Sequence, residues 1–533
     1  MSKNYDYIII GAGSSGCVVA NRLSKNKNTS VLLIEAGKED HFFTSMPISF
    51  SWLIDNPSAN WCYRSEPEKN TNFRNIPIPR GKLLGGSSSI NGLVYVRGNE
   101  NDYNLWSQMG NRGWGPKDVF PIFKRIENYQ NGEDNIRGSD GPLKVTEYNE
   151  NNLFSENLFN ACKSLKIPVN KDYNANNQEG IAKTQTTMFK GKRTSARVAY
   201  LDPVRNRKNL KIITNTLVQK LLLKNKKCYG VDVIIKKQRE SFFASKEVII
   251  CAGSINSPQL LELSGIGNPK ILNKHNINIE HENVYVGENL QDHIGPRIVY
   301  KSIRPDLTYN KKGRGLGLIY QVFKYFAFRK GLLSLPSAPV VGFFKTRNEL
   351  EDPDIQVHCI PFRIELKNNK RVLGKEPGFT FTVNQNRPES RGHVHIKSPD
   401  PNDYPAITYN FFSTELDKRT IIDGFKFVRK IANTEIMQKV ISEEMIPGID
   451  KKSDDEIFSF ICERAETIYH PVGTCRMGKK NQSVVDDNLR VHGISNLRIA
   501  DGSIMPTVIS GNTNAACIMI GEKCADLILK QTV

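Results

Sequence analysis

The feature that most constrains this chain is a glycine-rich turn between a buried strand and a helix at its beginning. Tyr7-Ile8-Ile9-Ile10 is a short apolar run rich in isoleucine, the pattern of a strand buried on both faces. It runs into Gly11-Ala12-Gly13-Ser14-Ser15-Gly16. Gly11 permits the tight turn, Gly13 lets backbone approach a pyrophosphate, and Gly16 lets the next helix pack closely with its N-terminus facing the phosphates. A second apolar strand, Val31-Leu32-Leu33-Ile34, leads into Glu35 and Ala36; Glu35 lies 19 residues after Gly16, where a carboxylate can accept hydrogen bonds from a ribose. Strand, glycines, helix, strand and acid in this order predict a dinucleotide site without saying which dinucleotide.

The chain of 533 residues is too long for one core, so two closely associated domains are expected. Its 39% hydrophobic and 24% charged residues are those of an ordinary globular protein. The formal charge of +19 is spread along the chain with no basic block or zinc-finger spacing, which argues against nucleic-acid binding. Ten scattered cysteines without a Cys-x-x-Cys predict free thiols in a reducing compartment. The first strand begins within a few residues of the N-terminus, and no run approaches 18 apolar residues. A cytoplasmic location is expected, with peripheral contact on the inner face of a membrane as the alternative.

Between Lys38 and Asn75 the chain is irregular and includes Trp61; it leads into Arg80-Gly81-Lys82-Leu83-Leu84-Gly85-Gly86-Ser87-Ser88-Ser89-Ile90-Asn91-Gly92. Four glycines and three serines in these thirteen residues can wrap backbone amides around a polar ligand, and the apolar Leu83, Leu84, Ile90, Leu93 and Val94 distinguish the stretch from a flexible linker. Packed helical turns are expected from Trp106 to Tyr129, then a polar segment to about Asn177 at the edge of a second domain. Leu210 to Ile213, Val218 to Leu223 and Gly230 to Ile235 suggest a small antiparallel arrangement. Glu247 to Gly267 contains a second strand-turn-helix, with Cys251-Ala252-Gly253 as the turn, Ser257 as N-cap and Pro258 at the first helical position.

From Lys301 to Leu333 there are eight basic residues and one acidic one, around the basic and aromatic run Gly317 to Lys330. This stretch predicts either a helix lying on an anionic membrane or a lid or packed helix of its own domain, the second being preferred. Strands are expected at Asp354 to Ile360, Phe379 to Val383 and Gly392 to Lys397, and helices at Glu415 to Asn433 and Ser453 to Arg464. His393 and His395 fall on one face of a strand, but without a third ligand motif they argue only weakly for a metal. Near the end come Tyr469-His470-Pro471-Val472-Gly473, then Ile499-Ala500-Asp501-Gly502, then Ser510-Gly511-Asn512-Thr513-Asn514. His470 is fixed by irregular backbone, and Asp501 ends a buried strand where a residue can hold a cofactor.

With these stretches in place, the chain resembles the glucose-methanol-choline oxidoreductases, particularly their choline dehydrogenase and bacterial alcohol dehydrogenase branch, over nearly its whole length. Gly81 to Asn104 and Gly253 to Gly267 fit the two family signatures, and His470 to Asn514 fits the closing pattern. The resemblance implies an α/β, Rossmann-like FAD-binding domain formed by residues 1–300 and 465–533, with excursions over 130–195. It implies a second, α+β substrate domain over 301–464 built on an antiparallel sheet.

It also implies FAD on Gly11, Gly13, Ser14, Ser15 and Gly16, with Glu35 and Ala36 at the adenosine ribose and Val218 by the adenine. Trp61, Arg80, Gly81, Leu84, Gly85, Gly86, Ser87, Asn91, Gly92, Leu93 and Val94 would lie along the cofactor, as would Ala252. Asp501, Gly502, Asn512 and Asn514 would lie near the flavin. The active pair carries over onto His470 as base and Asn512 as hydrogen-bond donor, with hydride passing to flavin N5. Some relatives attach FAD through a histidine where this chain has Ile90, so non-covalent FAD is expected.

The implied reaction is oxidation of a primary or secondary alcohol to the aldehyde or ketone, with electrons passed to a quinone or an electron-transfer protein. Choline is the alternative substrate. It is placed second because the position of the acidic residue in choline-specific relatives falls at or beside Pro339, in an apolar stretch that neither attracts a cation nor offsets its desolvation; Glu66 is the carboxylate that could stand in. A lyase or decarboxylase of the same family and a basic binding protein retaining the fold are the readings of other classes. Asn386-Arg387-Pro388, where decarboxylating relatives have cysteine, and the intact His470 and Asn512 argue against them.

Overall fold

The structure, a computed structural model, describes residues 3–149, 153–235, 238–367 and 370–531. β1 (Asn4–Ile10), β2 (Val31–Ile34), β3 (Leu210–Ile213), β4 (Leu217–Lys224), β5 (Lys227–Ile235) and β6 (Gln238–Ile250) form a sheet in the order β3-β2-β1-β6-β5-β4, and Leu497–Ile499 pairs the end of β6. β1 runs parallel to both neighbours, Ile10 standing beside Ile34 and Ile250. Its inner residues are fully buried, as the apolar run requires.

The small antiparallel arrangement expected from Leu210 onward divides in two. β3 extends the parallel sheet beside β2, and only β4 and β5 run antiparallel with β6. The cause is Asn209, whose amide donates to the carbonyls of Ser24, Asn26 and Thr29 and so delivers the chain to the free edge of β2.

α1 (Ser14–Leu23) follows the glycine turn and packs against the C-terminal helix Asn514–Lys530. Gly16 is fixed by the closeness of α1 to the turn it leaves: a Cβ there would sit 1.9 Å from the Gly11 carbonyl oxygen. α2 (Gly253–Leu263) begins four residues before the predicted N-cap, so Ser257 and Pro258 lie inside it. Pro258 is accommodated because the carbonyl it cannot reach, that of Ser254, accepts the Thr474 hydroxyl at 2.7 Å, while Ser257 donates to Asp501 at 2.6 Å.

The second sheet contains β7 (Arg297–Ser302), β8 (Val340–Phe344), β9 (Ile355–Ile360), β10 (Gly378–Gln385) and β11 (Ile441–Ile446), in the order β11-β7-β10-β9-β8, closed by Gly180–Lys183 at the edge of β8. Every pairing in it is antiparallel. α3 (Gly315–Phe328) lies on its periphery, and α4 (Glu415–Ala432) packs on β9 and β10. A parallel Rossmann-type α/β unit with an α+β unit on an antiparallel sheet is the architecture expected from the sequence. The ten cysteines are all free thiols.

His393 and His395 do share a face, their rings stacked at 5.1 Å. His395 serves an ion pair, lying 2.7 Å from Glu262 at the end of α2 and 3.1 Å from Glu288. Among the described residues no group of three or more His, Cys, Asp or Glu is placed to hold a metal. Burial alone would lower the pKa of His395, but the two carboxylates raise it to about 9. A raised histidine pKa stabilises the fold fully below the unfolded value near 6.5, and the contribution is lost as pH rises through about 9. The parent should therefore lose about 2–3 kcal/mol more stability than His395→Gln between pH 6.5 and 9.5, read by urea denaturation at each pH. Parallel pH profiles of the two proteins would remove this ion pair as a source of stability.

Candidate active site

Two adjoining cavities open at the carboxyl ends of the parallel strands. The first is a cradle. Gly11, Gly13, Ser14, Ser15, Glu35 and Ala36 line it from the first two strand ends, and Ala252 from the third. Arg80, Gly81, Gly86 and Ser87 close it from the serine-glycine loop, Trp61 from the irregular segment before it, Val218 from β4, and Asp501 and Gly502 from the end of the last strand. Sequence reasoning did not single out Asn256, Gln259 and Thr216, which also line it.

Gly86 is held at φ +51° against Gly13, where a Cβ would lie 2.8 Å from the Gly13 Cα, so the loop and the glycine turn touch backbone to backbone. Gly16, Leu84 and Gly85 are not on the cavity wall. Gly16 and Leu84 pack behind it, and the Gly85 amide donates to the Ala12 carbonyl at 2.7 Å.

Gly13 is the N-cap of α1, and no side chain caps that helix. Its first-turn amides and its positive dipole end therefore face the cradle, which suits a diphosphate. A Cβ on Gly13 would meet only the Cys251 carbonyl, at 3.8 Å, and would otherwise project into ligand space. The Glu35 carboxylate accepts from the amides of Ala12 at 2.9 Å and Gly37 at 2.8 Å, so it also braces the turn; burial pushes its pKa up to about 7. Asp501 accepts from the amides of Gly253 and Ser503 as well as from Ser257, and so locks the start of α2 to the turn after the last strand. These features fit an FAD-sized dinucleotide.

The second cavity is a chamber that shares Ser14, Arg80, Ser87, Thr513 and Cys517 with the cradle. Asn91, Gly92, Leu93, Val94, His470, Asn512 and Asn514 line it. Ser14 donates to Asn514 at 2.8 Å, which ties the first helix to the last. Asp102 receives the backbone amide and hydroxyl of Ser510 at 2.7 and 2.8 Å and so anchors the loop that carries Asn512. His470 follows Tyr469, which is held at φ +70°. Such a conformation costs a non-glycine residue about 1 kcal/mol or more, and two bonds hold it: Arg80 donates to the Tyr469 carbonyl, and the His470 amide donates to Asp292 at 2.7 Å.

Around the His470 ring the hydrogen bonds allow one arrangement of protons. His293 Nε2 lies 2.9 Å from the Asn386 carbonyl, which can only accept, so this nitrogen carries the proton. Burial pushes the His293 pKa down to about 4, so its other nitrogen, Nδ1, is an acceptor. His470 Nδ1, 2.9 Å away, must therefore donate to it, leaving His470 Nε2 with a free lone pair. Asn512 Nδ2 donates to that lone pair at 2.9 Å, and Gln356 fixes the orientation of the amide by donating to Asn512 Oδ1 at 3.1 Å. Burial, with His293, His358 and Arg80 nearby, holds the His470 pKa well below the ordinary histidine value. The ring is therefore a free base at pH 7.

His358 Nε2 and Tyr469 Oη belong to chamber-lining residues and have no hydrogen-bond partner in the protein, which suits a polar substrate. His293, Gln356 and His358 were invisible as site residues because 177 positions separate His293 from His470, and the other two lie on β9 of the second sheet. The run Glu288-Asn289-Leu290-Gln291-Asp292-His293, polar but for Leu290, was the one local signal.

The GMC oxidoreductase models match residues 5–295 and 388–521. An alcohol dehydrogenase [acceptor] of Pseudomonas putida is 42% identical over 99% of this chain and 96% of its own length. An oxygen-dependent choline dehydrogenase of Vibrio vulnificus is 40% identical over 99% and 95%. The crystal structure of pyridoxine 4-oxidase from Mesorbium loti superposes with a TM-score of 0.90 at 29% identity, covering 99% of both chains, and that of a formate oxidase with 0.92 at 27%, again covering 99% of both. The chain belongs to the GMC oxidoreductase family.

Proposed function

We propose that this FAD-dependent oxidoreductase oxidises an alcohol whose hydroxyl enters the chamber between His470 and Asn512. The observation that carries the reading is the tautomer chain from Asn386 through His293 to His470, which aims a lone pair into the chamber. An alcohol oxygen replacing the present His470–Asn512 bond would donate to Nε2 and accept from the Asn512 amide. His470 then takes the proton, a contribution of about 10²- to 10⁴-fold. Asn512 stabilises the developing alkoxide, worth about 3 kcal/mol for such a donor. FAD supplies the two-electron acceptor for the carbon-bound hydride, and the alcohol leaves as aldehyde or ketone. FAD is held without a covalent bond in this reading, because Ile90, which lines the chamber at the attachment position, has no nucleophilic atom.

The relatives support choline, placed second from the sequence, better than the uncharged alcohol placed first: oxygen-dependent choline dehydrogenases recur among them at 38–40% identity. Phe50, Phe362 and Tyr469 give the chamber aromatic faces that suit a trimethylammonium group. The uncharged alcohol keeps one argument. Glu466, a carboxylate of the lining, is bonded to Arg297 at 2.8 Å, and Glu66, the carboxylate held in reserve, pairs with Lys397 instead. The acceptor in this reading is external to the chain, a quinone or an electron-transfer protein.

Anaerobic addition of choline and of a series of primary and secondary alcohols should bleach the oxidised flavin band, choline fastest, and acid precipitation should leave the flavin in the supernatant. Fastest bleaching by an uncharged alcohol would reverse the substrate order, and a flavin that stays oxidised with all of them would end the alcohol reading. His470→Ala should keep FAD and lose about 10²- to 10⁴-fold in kcat. His293→Phe should cost about 10- to 100-fold through loss of the tautomer, while His293→Gln, which can both accept and donate, restores most of it. Equal losses in the two His293 variants would reduce that residue to packing.

A further inference from the structure

α3 is built inside out. Of its fourteen residues only Gln321 and Tyr325 are buried, and these turn their polar atoms inward: Gln321 Oε1 accepts the Leu332 amide at 2.8 Å and Tyr325 Oη donates to the Gly191 carbonyl at 3.1 Å. The outward face carries the apolar side chains, with Leu316, Ile319, Tyr320, Phe323 and Phe328 each 60–84% exposed. A helix covered only by water has the opposite polarity, and an exposed apolar face of this size marks an interaction surface.

The charge around this face selects the partner. Lys311, Lys312 and Arg314 precede the helix, Arg329 and Lys330 follow it, and no acidic residue occurs between positions 307 and 348. The hairpin that receives Tyr325 adds Phe189, with the ammonium groups of Lys144 and Lys190 each 5.3 Å from its ring. A second copy brought face to face would set these cations against one another, with Asp306 beside Lys312 as the one carboxylate between positions 302 and 348. An anionic lipid surface meets both the apolar face and its basic border. Among the described residues no helix is long and apolar enough to cross a membrane.

We propose that α3 and its basic border dock this protein peripherally on an anionic lipid bilayer, with the helix lying in the plane of the interface. The docked face adjoins the chamber. Leu332 and Leu333, just after α3, share one apolar cluster with Met46, Ile48 and Phe362, and Phe362 lines the chamber wall. Docking at this face goes beyond the alcohol-oxidation reading and does not depend on which alcohol is oxidised.

The FAD-loaded protein should co-sediment with vesicles of equimolar phosphatidylglycerol and phosphatidylcholine, with partition at least about tenfold above that for phosphatidylcholine alone and falling as salt is added. Ile319→Glu/Phe323→Glu should lower this partition by about tenfold or more, with flavin content and melting temperature unchanged, because both side chains point to solvent. Lys311→Glu/Lys330→Glu, which leaves the apolar face intact, should weaken anionic binding alone. The proposal is overturned if the parent ignores anionic vesicles, if the variants bind as the parent does, or if the parent is a dimer that Ile319→Glu/Phe323→Glu separates. The last result assigns the face to a second copy.

Discussion

Register between three parallel strands carries the whole site. Ile10, Ile34 and Ile250 end side by side, so the three segments that leave them emerge at one edge of the sheet. The Gly11 amide then bonds the Ile34 carbonyl and the Cys251 amide bonds that of Ile10, which continues the ladder one residue into the turns. Every cradle residue from the three strand ends depends on this alignment. A slip of one residue would carry the glycine turn after β1 out of line with its two neighbours, so the position of a ligand is specified as firmly as the register itself.

The same edge explains how residues from opposite ends of the chain come to share a chamber. Ser14 reaches Asn514, Asp102 holds Ser510, and Asp501 binds the start of α2. The second sheet supplies what the parallel sheet cannot: on β9, His358 lines the chamber and Gln356 bonds Asn512. These side chains set the orientation and electrostatics of His470 and Asn512 across the domain boundary, so the base belongs structurally to both units.

The sequence carried the glycine turn, Glu35, the serine-glycine loop and the His470–Asn512 pair, because each is written in a local motif with a local physical reason. What it did not carry is of two kinds. Long-range polar partners such as His293 behind His470, or Thr474 completing the helix around Pro258, leave no trace in spacing. The direction a helix faces is the other kind. α3 has the composition of a packed or a surface helix alike, and only the inward turn of Gln321 and Tyr325 shows which side is covered. Asn209 belongs to the first kind: its three bonds to the end of α1 put β3 in the parallel sheet against the local pattern.

The depressed pKa of His470 sets a problem that the relay answers. A histidine whose pKa lies far below 7 is always available as a base at neutral pH, but it is also a weaker base, and Brønsted behaviour reduces its pull on a proton. The buried surroundings that depress it oppose the charged ring that proton transfer creates. Once Nε2 is protonated, however, the Nδ1–H of His470 points at the His293 lone pair, and His293 in turn donates to the Asn386 carbonyl. Two aligned hydrogen bonds thus face the new positive charge with acceptors already in place, needing no reorganisation. Asp292, raised by burial to about 7, holds the backbone of His470 through its amide and so keeps the ring on this axis. The site keeps the resting ring neutral by burial and supports the charged ring by fixed dipoles, so the base strengthens as the transition state forms.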